Sequence, residues 1–385
     1  MHMATSEFKR LYALYIVAIF AMFSLYGVQS IQPILQQELQ IAKYQAALFT
    51  TFVMLPMGIA PLFYGYLLHG KSIKKVLRFS ILYLGIFEII FAFSSSYEML
   101  LLVRFLQGLA IPAVLTTLAS YISSHSQKQN IQQNMAFYIG STIVGGFFGR
   151  YISGLCSEFF GWRIFFVALG IVLFVLFYLL QKIDEVPIDS APKSIKSMFN
   201  LIFDSKYMFI FIAIFFVFFI FSAILNFLPF ELYIANPQIK PSAVGFIYIG
   251  YVMGLLVSIF SNQIRAFFGS EHLILKVAIS IYILSILLFL QEGYYQKLLI
   301  MFLFCLGMFL FHTTSSGYIN KIADSNKSML NGLYISFYYL GGTAGSIIPG
   351  YIYDRFGWNH FVLFLTLIAF LILIYLFSPL SKKHF

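Results

Sequence analysis

Charge is scarce in this chain. Of its 385 residues only 10% are Asp, Glu, Lys or Arg, against about 25% in a soluble domain, so a soluble globular enzyme is excluded. Acids are the scarcer sign, 14 against 24 Lys and Arg, for a net charge of +10. That surplus does not make a nucleic-acid surface, because the basic residues lie in short clusters between apolar stretches and form no stripe. Cysteine is nearly absent: Cys156 and Cys305 both fall in apolar stretches, so no disulfide framework is implied. The sequence has no G-x-x-x-x-G-K-S/T nucleotide loop, no G-x-S-x-G elbow and no His/Cys cluster at metal-ligand spacing. Neither ATP-driven work within this chain nor a bound metal or other cofactor is therefore expected. Apolar residues fill the space instead. They make up 61% of the chain, with 47 Phe and 26 Tyr, and the mean hydropathy of +0.88 excludes disorder.

A helix needs about 20 apolar residues to cross the hydrocarbon core. Twelve stretches qualify: 11–33, 44–68, 76–96, 97–121, 132–156, 162–181, 207–230, 243–267, 273–291, 295–319, 329–353 and 359–378. The first is too long for a signal peptide and lacks a small-residue cleavage site, so it reads as a retained helix. Residues 182–206 carry Asp184, Glu185, Pro187, Asp189, Pro192 and several Lys, the composition of a solvated linker. The linker separates an N-terminal half, 1–181, from a C-terminal half, 207–385, each with six spans. With the N-terminus in the cytoplasm, 17 of the 24 Lys and Arg fall on the cytoplasmic side and six on the other. Positive charge favours the inside, so both termini are expected in the cytoplasm.

An internal repeat follows at an offset of 196 residues. Tyr138, Gly145, Gly146, Gly149, Ile152, Gly154, Phe160, Gly161, Trp162 and Phe165 recur as Tyr334, Gly341, Gly342, Gly345, Ile348, Gly350, Phe356, Gly357, Trp358 and Phe361. Six spans separate the copies, an even number, so both copies point the same way. The fold class expected is an all-α integral membrane protein of twelve transmembrane helices in two parallel six-helix halves, an arrangement of secondary transporters. Small residues let helices approach closely in lipid, so Gly145, Gly146 and Gly149, and Gly341, Gly342 and Gly345, are expected to pack the fifth and eleventh spans against neighbours or let them move.

On these features the sequence resembles the major facilitator superfamily. Gly145-Gly146-Phe147-Phe148-Gly149 followed by Gly161-Trp162-Arg163 is similar to the fifth-helix motif of its drug:proton antiporters. Arg104-Phe105-Leu106-Gln107-Gly108 is similar to their R-x-x-Q-G motif. Tyr26-Gly27-Val28-Gln29 with Pro33, and Gly149-Arg150-Tyr151-Ile152-Ser153-Gly154, resemble the YnfM-like branch of efflux permeases. The loop after the second span departs from the family pattern G-x-x-x-D-R-x-G-R-R/K. His69 stands where the acid is expected, and Ser72 and Ile73 replace the inner glycine and the arginine that follows it. The resemblance implies proton-driven export of a small organic compound or drug, with Arg104, Gln107 and Gly108 carried over to its fourth-span motif.

Ionisable groups inside a membrane are costly and so are candidates for function. Arg104 lies inside the fourth span, while its repeat position is apolar. It either couples binding to conformational change or snorkels to the surface. Glu88 lies about 18 Å above the inner start of its span and Arg104 about 10 Å below the outer start of its own, nearly the same depth in a core about 30 Å thick. The two are expected to pair, either as a proton carrier or as a structural link. Arg150 either attracts an anionic solute, pairs with Glu158, or anchors at the interface. His312 in the tenth span is either a proton relay or a hydrogen-bonded core residue. Tyr26, Gln29 and Pro33 share a helix face that should line a cavity. With Gln32, Arg150, Asn226, Glu231, Tyr248 and Tyr251 they outline a pocket for a polar or amphiphilic solute.

The reading is a secondary carrier for a small organic solute, driven by the proton gradient. Its partners are the solute and the lipid bilayer, without nucleic acid, and it works as a monomer. Few Arg and many Lys, Phe and Ile suggest an AT-rich bacterial genome; the expected location is the bacterial cytoplasmic (inner) membrane. Uptake symport, facilitated transport, lipid flipping and a polytopic membrane enzyme stay open.

Overall fold

The computed structural model describes residues 2–127, 130–188, 195–323 and 327–378. It is helical almost throughout. Among the described residues the one extended pairing is an isolated bridge between Ser72 and Pro187. Side-chain caps set several helix starts: Ser72 accepts from the Lys75 amide, Ser96 from Met99 and Ser270 from Leu273.

Ten helices among the described residues are long and apolar enough to cross a membrane, two fewer than the stretches counted in the sequence. Both differences have a physical cause. The helix Ile131–Phe159 is 29 residues long, but its first turns carry Gln132, Gln133 and Asn134 and its middle is glycine-rich, which dilutes its hydropathy. The stretch Lys327–Phe377 runs for 51 residues yet breaks at Gly357, whose φ of 78° and ψ of −176° are not helical. Its repeat mate Gly161 has φ 87° and ψ 151° and separates Phe159 from Trp162 in the same way. That backbone region is open essentially to glycine alone, which explains why Phe-Gly-Trp recurs. Both tryptophans are buried just past the turn.

By contact the chain groups into two compact units. The first comprises Met1–Ile31, Phe63–Pro192 and Lys240–Phe246; the second comprises Gln32–Leu62, Lys193–Ile239 and Ile247–Phe385. In the first unit the helix His2–Tyr26 packs on Ile131–Phe159; in the second Ser205–Ala235 packs on Lys327–Phe377. Glycine sets both contacts. A Cβ on Gly145 or Gly149 would lie 2.9 Å from the Cα of Ile19 or Phe23; on Gly341 or Gly345 it would lie 2.8 or 2.7 Å from the Cα of Phe215 or Phe219. Ile19 and Phe215, and Phe23 and Phe219, are again 196 residues apart. The sequence repeat is therefore also a repeat of helix packing.

Two spans are not continuous. The first helix ends at Tyr26, and a 3₁₀ turn over Gln29–Ile31 leads to a short helix over Gln32–Leu39. The eighth span is split into Pro241–Phe246, a 3₁₀ turn over Ile247–Tyr251, and Val252–Ile259. Irregular backbone at membrane depth is tolerated where protein or a cavity covers it, so these breaks direct attention to the side chains around them.

Candidate functional site

The break after Tyr26 is where Arg104 acts. A helix end leaves its last carbonyls without intrahelical donors. Arg104 Nη1 donates to Ser24 O at 2.7 Å, and Nη2 to Leu25 O at 2.8 Å. Nη1 also donates to Gln107 Oε1 at 2.7 Å, one helical turn along. The guanidinium stacks 5.8 Å from the Phe91 ring. Arg104 is wholly buried, so it does not snorkel. A cation at a helix C-terminus also meets the negative end of the helix dipole.

Glu88 reaches this site from the neighbouring helix Ile73–Phe93. It is fully buried and lies in the field of Arg104 with Ser24 and Gln107 beside it, but no hydrogen bond joins it to the guanidinium, so the expected pair is not a direct ion pair here. The carboxylate oxygens make no close, well-aligned hydrogen bond, nor do Ser24 Oγ and Gln107 Nε2, but the Ser24 hydroxyl and the Gln107 amide are near enough to act on the carboxylate. The structure thus collects one acid, one base and four polar atoms without a close hydrogen bond in an apolar interior. Gly108 follows Gln107 and is buried.

The eight residues expected to bind solute fall into separate groups. In the first unit Arg150 Nε donates to Gln29 Oε1 at 2.6 Å, and Nη1 to Gly146 O at 2.5 Å. Its guanidinium stacks 4.0 Å from the Tyr26 ring, and Ser30 Oγ donates to its backbone carbonyl at 2.7 Å. Gln29 Nε2 and Ser153 Oγ are buried and unsatisfied. Glu158, offered above as a partner for Arg150, turns instead to Ser242 and Lys240. The hydrogen bond from Ser242, reinforced by Lys240, holds its carboxyl below the usual range.

In the second unit Gln32 and Asn226 join a buried polar chain. Gln32 Nε2 donates to Thr50 Oγ1 at 2.7 Å and to Asn226 Oδ1 at 3.0 Å. Asn226 Nδ2 donates to Ser346 Oγ at 2.9 Å and Ser222 Oγ at 3.1 Å. Gln32 Oε1 has no donor. Thr50, Ser222 and Ser346 were not among the residues picked from sequence. The repeat offset carries the signal for two of them: Ser346 is the counterpart of Arg150 and Ser222 of Tyr26.

The other three residues lie elsewhere in the second unit. Glu231 accepts from Tyr353 Oη at 3.3 Å and pairs with Lys297 Nζ at 3.7 Å. Lys297 is buried, its ammonium 5.2 Å from the Trp358 ring. Tyr248 donates to Leu225 O at 2.7 Å. Tyr251 packs between Phe221 and Phe309. Gly342 abuts the Phe218 ring. His312 shares a hydrogen bond with Tyr334 Oη at 3.0 Å, and Tyr334 bonds Ser315 at 2.8 Å. Its ring is therefore hydrogen-bonded and partly buried in this structure.

The loop that departs from the family pattern is held by the linker. Gly70 N donates to Ile188 O at 3.0 Å, Ile73 N to Val186 O at 2.8 Å, and Ile188 N to Lys71 O at 2.8 Å. Lys75 Nζ lies 3.1 Å from Glu185. Hydrogen bonding from Lys75 and Ser72 holds the Glu185 carboxyl below the usual range. Where the family acid is missing, the linker supplies an acid to this loop.

Comparison with known proteins agrees with this architecture. The profile of the Major Facilitator Superfamily matches residues 14–290 and 231–384. A transporter of Buchnera aphidicola subsp. Schizaphis graminum is 25% identical over 353 residues, 88% of this chain and 84% of that protein. The inner membrane transport protein YnfM of Escherichia coli is 25% identical over 348 residues, 89% of this chain and 83% of that protein. The crystal structure of the nucleoside transporter NupG (D323A mutant) superposes with a TM-score of 0.81 at 15% identity, covering 96% of this chain and all of that one. At that identity the likeness concerns the fold.

Proposed function

Because the chain belongs to the Major Facilitator Superfamily and is a multi-pass membrane transporter, we propose that it exports a small organic solute from a bacterial cytoplasm in exchange for protons. The observation that carries this reading is the Glu88–Arg104 site. A buried carboxylate with no close hydrogen bond is stabilised either by a nearby cation or by a proton. Arg104 and a proton therefore compete for Glu88. Arg104 also holds the carbonyls at the break in the first helix. Protonation of Glu88 releases Arg104 from that charge, and the change reaches the backbone three residues before Gly27. This links proton occupancy to the shape of the span that carries Tyr26 and Gln29.

Solute recognition is assigned to the amide, hydroxyl and guanidinium groups around the two interrupted spans. Gln29 Nε2 and Ser153 Oγ beside Arg150, and Gln32 Oε1 beside Asn226, are buried groups with idle hydrogen-bonding capacity. A buried polar group left unmatched is costly, so a polar organic solute that satisfies them gains affinity. The resemblance to the drug:proton antiporters, the R-x-x-Q-G motif above all, supports export over uptake.

The test uses purified protein in liposomes with a pH-sensitive dye inside and an imposed proton gradient. Candidate solutes are added one chemical class at a time, with Arg104→Ala alongside. Solute-dependent proton movement that Arg104→Ala lacks is the expected result. Solute movement without proton movement overturns the antiport assignment and leaves a facilitator or another coupling ion.

A further inference from the structure

The first unit carries a groove of about 890 Å³ that none of the transport residues line. It runs beside the end of the second span, the start of the third and the middle of the fourth. Its wall is apolar, with Leu67, Phe79 and Leu109 along it. Leu67 is 52% and Phe79 68% exposed, as hydrocarbon-facing side chains are. Tyr64 Oη is tied to Leu109 O at 2.5 Å, which closes the wall between the second and fourth spans.

The mouth of the groove is basic. Lys71 and Lys75 line it. The Lys71 ammonium meets no acid among the described residues, and the Lys75 side chain stays 78% exposed although Glu185 is near. Phe79 lies six residues into its helix, about 9 Å below the mouth at 1.5 Å per residue. Cations thus stand at headgroup level above an open apolar trough. Basic pockets between spans at a membrane face suit anionic headgroups.

We propose that this groove holds a phospholipid with an anionic headgroup, its phosphate at Lys71 and Lys75 and an acyl chain along Leu67, Phe79 and Leu109. Glu185 competes with that phosphate for Lys75, so lipid binding and linker docking bear on the same side chain.

The full-length protein, delipidated in detergent, is titrated with phosphatidylglycerol or with phosphatidylcholine of identical chains, and bound lipid is counted by native mass spectrometry. Wild type is expected to retain phosphatidylglycerol over phosphatidylcholine. In Lys71→Gln/Lys75→Gln, which changes exposed side chains, phosphatidylglycerol affinity is expected to fall roughly tenfold, a figure reduced from the full worth of two lysines because Glu185 already offsets one. Lys240→Gln, remote from the groove, is expected to match wild type. Ala113→Leu, which narrows the groove and leaves the charges, is expected to weaken binding as well, and inorganic phosphate is expected not to displace the lipid. Equal retention of the two lipids, an unchanged affinity in the double variant, or displacement by inorganic phosphate alone overturns the proposal.

Discussion

Arg104→Gln strips two buried carbonyls of their donors. Ser24 O and Leu25 O accept from Arg104 at 2.7 and 2.8 Å, and a buried acceptor left unmatched costs about 1–3 kcal/mol. Two of them give about 2–6 kcal/mol, in the same range as the 3–5 kcal/mol for breaking a buried ion pair from one side. Glu88→Gln leaves those carbonyl bonds in place, so it costs less than Arg104→Gln. The double variant strands no charge, and coupled neighbours deviate from additivity by about 0.5–3 kcal/mol. It is expected to be at least as stable as Arg104→Gln alone. The assay is thermal unfolding of all four proteins in detergent, followed through Trp162 and Trp358 fluorescence. Arg104→Lys sharpens it: an ammonium keeps the charge but cannot fork to both carbonyls, so it should fall between wild type and Arg104→Gln. If the two single losses simply add in the double variant, Glu88 and Arg104 are not coupled and the site as described here is wrong.

Gly345→Ala places a Cβ 2.7 Å from the Cα of Phe219, a backbone atom that no rotamer change can move. It should cost about 2 kcal/mol by overpacking, whereas Gly317→Ala, with nothing within 4 Å, should be neutral or gain up to about 1 kcal/mol of helix propensity. Equal effects in the same unfolding assay would refute the close-packing account of the repeat. Docking of the linker should depend on acid. The folded Glu185 carboxyl sits below its ordinary value because of Lys75 and Ser72. Its contribution is therefore complete above the usual carboxylate pKa of about 4.3 and fades as pH falls through the lower folded value. Protection of the Gly70, Ile73 and Ile188 amides, after correction for the intrinsic pH dependence of exchange, should be full at neutral pH and fall only below the usual carboxylate pKa of about 4.3, and Glu185→Gln should remove that pH dependence. Protection that falls around neutrality would contradict it.

The helical membrane fold and its repeat were legible because both rest on local rules. Apolar length marks spans, and the 196-residue offset maps Gly145 and Gly149 onto Gly341 and Gly345. The structure extends the match to their partners Ile19, Phe23, Phe215 and Phe219, bulky apolar residues whose role no pattern announces. Arg104 and Glu88 stood out because charge in an apolar span is conspicuous. The carbonyls that hold Arg104 were invisible, since the sequence does not show that the helix ends at Tyr26, inside the stretch 11–33 taken as one span. Ser222, Ser346 and Thr50 were passed over because small hydroxyls are commonplace in spans, and only their convergence on Asn226 and Gln32 distinguishes them. A count of loop charges cannot see that Glu231 and Trp358 hold Lys297 in the interior.

The central claim is that Glu88 carries the coupling proton while other groups bind the solute. The direct measurement compares two assays of Glu88→Gln in the same liposomes, once a transported solute is in hand: solute exchange with no gradient, and net solute movement against its gradient driven by an imposed pH difference. The account predicts that exchange persists and proton-driven movement is lost. Proton-driven movement at the wild-type level would contradict it, because the coupling proton would then reside elsewhere.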